Sequence, residues 1–143
     1  MSEDTGWERI KAHRDLYLSN PDQAHDWNPY GQMTQALLLT TTGRKTGKKR
    51  SLPLIYKKVG ANYVIAGSKG GADAHPVWYL NLVANPEVEI QVRRDVMKAR
   101  ARTAVGAERD ALWQEMVEVL PQYEEYQSKT SRQIPVVVLE PHP

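Results

Sequence analysis

Residues 36–67 read ALLLTTTGRKTGKKRSLPLIYKKVGANYVIAG. The order of apolar and turn-forming residues in this stretch decides the fold class. Ala36 to Thr42 is aliphatic and β-branched, which predicts a strand. Gly43 to Gly47 has turn chemistry. Residues 50–59 and 62–67 predict two more strands joined at Gly60-Ala61-Asn62, a hairpin connection. Outward from here, residues 87–92 and 96–104 predict a hairpin around Arg93-Arg94-Asp95, and 134–140 a final strand with Pro135 near its start. Helices are expected at 5–19, with Trp7, Ile10, Arg14 and Tyr17 near one face, and at His75 to Ala84, with Pro76 in the first turn. The segment 107–120 is amphipathic, with Leu112, Met116 and Val119 at helical spacing, and Pro121 ends it. Tyr123 to Ser128 predicts one further turn. Residues 21–35 are polar and aromatic, with Asn28-Pro29-Tyr30-Gly31 as a turn. Strands arriving as hairpins, without repeated strand–helix–strand units, predict a mainly β chain: a small antiparallel barrel with peripheral helices.

The chain has 143 residues, 41% of them hydrophobic and 25% charged. One globular domain over 1–143 is expected, with 1–20 as an N-terminal helix. Cys is absent, which excludes disulfide scaffolds, thiolate metal sites and thiol nucleophiles. No apolar run is long enough to span a bilayer, and MSEDTGWERIK lacks the pattern of a secretory leader. A cytoplasmic setting is the expectation, with membrane association kept open by the N-terminal helix. That helix is read either as packed over the barrel mouth or as touching a membrane surface.

The net charge of +2 hides an asymmetry. Trp27 to Ala72 holds eight bases and no acid, whereas the rest holds eleven bases against seventeen acids. Such a concentration points to an anionic partner or to a solvated basic surface. Five of the eight residues in Gly43-Arg44-Lys45-Thr46-Gly47-Lys48-Lys49-Arg50 are cationic. The spacing is not that of a P-loop. Ala66-Gly67-Ser68-Lys69-Gly70-Gly71 follows a strand, and its small residues permit close approach of a ligand to the backbone. No metal site is expected, because His13, His25, His75 and His142 lie far apart without ligand spacing. Trp78, Tyr79, Tyr123 and Tyr126 are read either as pocket walls or as core. A nucleic-acid-binding module is the alternative of another class, although no aromatic lies inside the basic motif.

Taken in order, these motifs resemble the deazaflavin-dependent nitroreductase family, also described as quinone reductases using reduced coenzyme F-420. The resemblance runs from about Leu38 to Pro141. It rests on Leu39 to Gly47 (LTTTGRKTG), Ser68-Lys69-Gly70-Gly71 and His75 to Pro86 (HPVWYLNLVANP). It implies a split β-barrel like that of flavin reductases, with F-420 as cofactor and FMN or heme as the alternative within the fold. By the same resemblance Arg44, Lys45, Lys48 and Arg50 hold the phosphate and oligoglutamate tail, and Pro53 and Leu54 lie against the ring. Ala66, Ser68, Lys69 and Gly70 contact the ring and its polar edge, while Trp78, Tyr79 and Asn81 close the pocket. Ser68, Tyr123 and Tyr126 stand at the catalytic, substrate side. The implied reaction is hydride transfer to a planar acceptor: a quinone, an enone or a nitroaromatic. A small-molecule acceptor, a homodimer and peripheral membrane contact are the implied partners, and nucleic acid is not. Two positions depart from the family pattern. Leu120 stands where nitroimidazole-reducing members often have an aromatic residue, and Ile55 precedes Tyr56 where an aromatic is often found one residue earlier.

Overall fold

The structure, a computed structural model, describes residues 7–28 and 31–142. Its elements are α1 (Trp7–Ser19), α2 (Pro21–His25), β1 (Asp26–Trp27), β2 (Thr34–Thr42), β3 (Lys49–Ile55), β4 (Lys57–Val59) and β5 (Asn62–Ala66). After a 3-10 turn at Lys69–Gly71 come α3 (Val77–Ala84), β6 (Glu87–Val92), β7 (Asp95–Thr103), α4 (Gly106–Val119), α5 (Gln122–Ser128) and β8 (Val136–His142).

The predicted strand over 50–59 is in fact two strands. It breaks at Tyr56, whose N–H donates to the Gln35 carbonyl at 3.0 Å. The first half, β3, pairs with β2, placing Leu54 opposite Leu37 and Leu52 opposite Leu39. The second half, β4, pairs with β5. The antiparallel order is β3-β2-β6-β7-β8-β5-β4, so the two ends of the sheet are consecutive in the chain. The sheet therefore curls into a barrel closed by the peptide around Tyr56 and not by a ladder. Along the seam β3 has β2 as its only ladder partner among the described strands. This is a split β-barrel.

Side chains alternate across a strand, and the barrel uses both faces of its apolar runs. Leu37, Leu39, Ile65, Ile90, Val137 and Leu139 fill the interior, and Trp78 and Leu82 of α3 complete that core. On the outer face, Val64, Val136 and Val138 pack under Leu112, Trp113 and Met116 of α4 and under Tyr123 of α5. That two-sided burial is why 136–139 reads as an unbroken apolar run. Leu38, also outward, is covered by Tyr17 and Ala24.

Other differences are local. The segment expected to be irregular over 21–35 contains α2 and β1, α2 being capped by Asn20, whose side chain accepts from the Gln23 N–H. Pro76 caps α3 and does not sit inside its first turn. Of the predicted turn at 28–31, Pro29 and Tyr30 lie outside the described residues. Among the described residues no helix is long and apolar enough to cross a membrane.

Tyr56 is anchored as well as bent. Asp26 accepts from His25 Nδ1 at 2.9 Å, because a carboxylate can only accept. With that tautomer Nε2 is the ring's acceptor, and the Tyr56 hydroxyl donates to it at 2.7 Å. Both side chains are buried, and burial pushes the Tyr56 phenol up to about 12. Tyr56→Phe removes the donor and leaves a buried imidazole nitrogen unpaired. A loss of about 1–3 kcal/mol is expected, to be read from the midpoint of denaturant unfolding, with the barrel's far-ultraviolet spectrum retained.

Candidate functional site

A cavity of about 1140 Å³ opens along the seam of the barrel, where β3 lacks a second neighbour. That is ample for a cofactor-sized ligand. Because one edge of β3 is unpaired, residues from both of its faces reach the cavity: Pro53 and Leu54 both line it. The wall carries Arg9, Arg14, Lys48, Lys49, Arg50 and Lys69, and no Asp or Glu among the described residues. An apolar strip of Leu52 to Ile55 continues from this cationic end. Arg14 is paired with Asp15 at 3.7 Å, and the cluster of Lys48, Lys49, Arg50 and Lys69 gives the cleft a positive potential that draws anions in.

The cationic end is built by the turn between β2 and β3. Gly43 N–H donates to the Lys48 carbonyl at 2.8 Å and Gly47 N–H to the Gly43 carbonyl at 2.9 Å. Gly47 has φ +71°, open to glycine without strain. Asn81, buried on α3, holds the turn from below: its Oδ1 accepts from the Arg44 N–H at 3.2 Å and its Nδ2 donates to Thr41 Oγ1 at 3.4 Å. Thr40 and Ser51 bond across the same ladder at 2.7 Å. Lys48 and Arg50 line the cavity, whereas Arg44 and Lys45 sit exposed on the turn above it.

The opposite wall is the loop after β5. Lys69, Gly70 and Gly71 have φ of 45°, 62° and 84°, three consecutive left-handed residues. Gly67 is wedged against Pro135, where a Cβ would approach Cγ to 2.8 Å. Gly71 is wedged against Tyr126, where a Cβ would meet the backbone oxygen at 2.6 Å. Gly70 faces open space. Ala66, Ser68, Lys69 and Gly70 line the cavity, with Trp78 and Asn81 of α3 beside them. Tyr79 does not line it: its hydroxyl bonds Thr103 Oγ1 at 2.9 Å and its ring lies against His75. Tyr123 and Tyr126 do line it, in edge contact with each other at 6.3 Å between centroids, next to Leu120.

Sequence reasoning missed three groups. The first is α1, which supplies Ile10, His13 and Leu18 to the cavity besides its arginines. α1 thus lies beside the cavity. Trp27, also in the wall, stacks on His13 at 3.8 Å, and His13 Nε2 donates to the Ala24 carbonyl at 2.9 Å. The second is Lys49, quoted in the basic motif but not singled out. The third is Arg132, whose guanidinium bonds the carbonyls of Gly67, Ser68 and Ala72. An arginine four residues before an apolar strand carries no signal in one sequence, because its acceptors are backbone oxygens some sixty positions away.

Comparison with known proteins bears on this geometry. The sequence pattern of the F420H(2)-dependent quinone reductases matches residues 15–141. An F420H(2)-dependent quinone reductase of Mycobacterium tuberculosis (strain ATCC 25618 / H37Rv) is 46% identical over 107 residues, covering 73% of this chain and 72% of that protein. A solved F420-H2 dependent reductase is 45% identical, covers 73% of this chain and 93% of its own, and superposes with a TM-score of 0.69. A second solved structure, a domain-swapped dimer, is 40% identical, covers 96% of this chain and all of its own, and has a TM-score of 0.71.

The two wedged glycines and the two histidines make separate predictions. Ala at Gly71 meets both an unfavourable φ and the Tyr126 backbone, whereas Ala at Gly70 meets only the φ. Gly70→Ala should cost about 1–2 kcal/mol and Gly71→Ala distinctly more, as read by thermal unfolding. Burial holds both His13 and His75 below the ordinary 6.5, for His75 with help from Arg132. The unfolded chain therefore takes up these protons first, so stability is complete above pH 6.5 and declines as pH falls below it. Denaturation midpoints from pH 7.5 to 5 should decline, and His13→Gln with His75→Gln should flatten the curve.

Proposed function

The chain belongs to the F420H(2)-dependent quinone reductase family, and from that premise we propose that it moves a hydride from reduced coenzyme F-420 to a planar, electron-poor acceptor of the quinone, enone or nitroaromatic kind. The observation that carries this reading is one cavity joining an acid-free cationic end to a flat apolar strip. F-420 has the matching halves: a tail bearing a phosphate and several carboxylates, and a flat ring. FMN has a shorter, less charged tail and would leave much of the cationic end unused.

The donor set fits the group. Lys48 and Arg50 line the end suited to the tail, Arg binding phosphate or carboxylate bidentately. Arg44 and Lys45 add charge from the turn above. Pro53 and Leu54 form the wall for the ring, and Ala66, Ser68, Lys69 and Gly70 form the loop at its polar edge. When bound, the reduced deazaflavin supplies the hydride, and the chain's work is to bind, orient and exclude water. The acceptor side is bounded by Tyr123 and Tyr126, with Leu120 in place of a further aromatic ring. The hydroxyls of Ser68 and Tyr123 are the side-chain candidates to pass a proton to the reduced acceptor, alongside water. Tyr79 is assigned to support of α3 and not to the pocket, since its hydroxyl is held by Thr103. In this reading Trp78 and Asn81 close the pocket, Asn81 acting mainly by holding the turn. A homodimer is the assembly in keeping with the domain-swapped relative.

Titration with F-420, followed by absorbance and fluorescence, tests the reading. Binding in the micromolar range is expected, and no binding by tens of micromolar would reject it, as would a purified protein that holds FMN tightly. Lys48→Gln with Arg50→Gln should weaken binding by about tenfold or more at low ionic strength and flatten its salt dependence, because the contacts removed are ionic.

A further inference from the structure

The loop that walls the cavity is left-handed at three residues in a row, one of them the non-glycine Lys69. Gly70 and Gly71 take such φ freely, whereas Lys69 keeps it only because its surroundings enforce it. The loop is held by its own bonds, from the Gly71 N–H to the Ser68 carbonyl and from the Ala72 N–H to the Lys69 carbonyl, and by the Arg132 guanidinium. Its Nε donates to the Ala72 carbonyl at 2.7 Å, one terminal nitrogen to the Ser68 carbonyl at 2.8 Å, and the other to the Gly67 carbonyl at 3.1 Å and to His75 Nδ1 at 3.1 Å. Four of the five N–H donors of the fork are thus aimed at a single turn of chain.

We propose that Arg132 is the positioning residue of this site: it draws the Gly67 and Ser68 carbonyls away from the cavity, and so turns the N–H groups of Ser68 and Lys69 into it as donors for an electron-rich ring edge. The reason is covalent. In a trans peptide the C=O and N–H point in opposite directions. The Ser68 N–H shares a peptide with the Gly67 carbonyl, and the Lys69 N–H with the Ser68 carbonyl, so fixing the two oxygens fixes the two donors. Among the described residues neither N–H takes part in a loop or turn bond of the kind made by Gly67, Gly71 and Ala72, whose N–H groups donate to Pro135, Ser68 and Lys69. Ser68 and Lys69 both line the cavity.

Arg132 is itself held. Gln127 Nε2 donates to the Arg132 carbonyl at 2.7 Å, and Gln127 Oε1 accepts from the Ile134 N–H at 2.9 Å. The Arg132 N–H donates to Thr130 Oγ1 at 3.3 Å. Gln127 follows Tyr126 on α5, so the polar-edge loop and the tyrosine side of the cavity share one support. A planar fork can serve three carbonyls and a ring nitrogen at once, which the single ammonium of lysine cannot. The guanidinium also leaves a fixed positive charge behind the loop, with exposed Asp73 the acid that acts on it.

The inference rests on the F-420 reading of the cavity, and its consequence is selective. Adding a hydride enriches the ring in electrons, so oriented donors and a cation behind them favour the reduced form over the oxidised one. The experiment measures dissociation constants for oxidised and reduced F-420 with the wild-type protein, Arg132→Gln and Arg132→Lys, together with amide hydrogen exchange of residues 67–73 without ligand. Arg132→Gln should weaken the reduced form about tenfold and the oxidised form much less. Arg132→Lys should fall between the two, and millimolar guanidinium should restore part of the loss in Arg132→Ala. The loop amides of Arg132→Gln should exchange faster while those of β8 do not. Equal losses for both oxidation states, or unchanged affinity and exchange in folded variants, overturn the role of Arg132 and leave the cofactor reading standing. Failure of the wild-type protein to bind F-420 overturns both. Should Arg132→Gln not fold, the lysine variant carries the same comparison.

Discussion

One unpaired strand edge organises this molecule. Among the described strands β3 exchanges ladder bonds with β2 alone, because the chain bends at Tyr56 and its continuation joins the far end of the sheet. A closed barrel of this size fills its interior with side chains, and here the interior is filled by aliphatic residues and by α3. The cavity exists because the closure is a covalent bend and not a ladder. The side chains of β3 then serve two purposes, Leu52 and Leu54 packing against the core while also facing the cavity. The Asp26–His25–Tyr56 chain of hydrogen bonds keeps the bend in place from outside.

Electrostatics follows from that architecture. Eight bases between Trp27 and Ala72 would be an ordinary basic surface if spread over it. The turn between β2 and β3 places Lys48, Lys49 and Arg50 at one end of the cavity, and the loop after β5 brings Lys69 to its wall. The acids are engaged elsewhere: Asp22 and Asp26 with Arg93, Glu87 with Arg100 and His142, and Glu108 with Arg102. These exposed pairs contribute little to stability. At the cleft itself Arg14 is paired with Asp15 at 3.7 Å, while the lining holds no Asp or Glu among the described residues.

Much of the fold was legible. β2, β6, β7, α4, α5 and β8 lie within a residue or two of the predicted spans, because alternation, helical spacing and turn residues are local signals. The break at Tyr56 was not legible: residues 50–59 are uniformly compatible with one strand, and the bend is imposed by pairing with β2 and β5. The short α2 and β1 were hidden for a similar reason, since their order depends on capping by Asn20 and on pairing with residues 34–35. Of the fifteen site residues expected from the resemblance, twelve line the cavity, and they make up less than half of its wall. By the family resemblance Tyr79 was expected to close the pocket, yet the helical step from Trp78 to Tyr79 turns it toward Thr103.

The sequence by itself determined the class of the chain: antiparallel β with outer helices, charge gathered into one segment, no cysteine chemistry, and motifs of a deazaflavin-dependent family. All of these depend on residues close together along the chain. Only the tertiary structure decided what surrounds the cavity. Ile10 and His13 reach it from α1, and Arg132 shapes its loop from beyond α5. The physical reason is that Arg132 acts on backbone carbonyls, which every residue possesses, so no residue type at 67, 68 or 72 advertises its partner. Where a guanidinium meets three carbonyls is a property of how β5 and β8 are brought side by side, and that neighbourhood exists only once the barrel has formed.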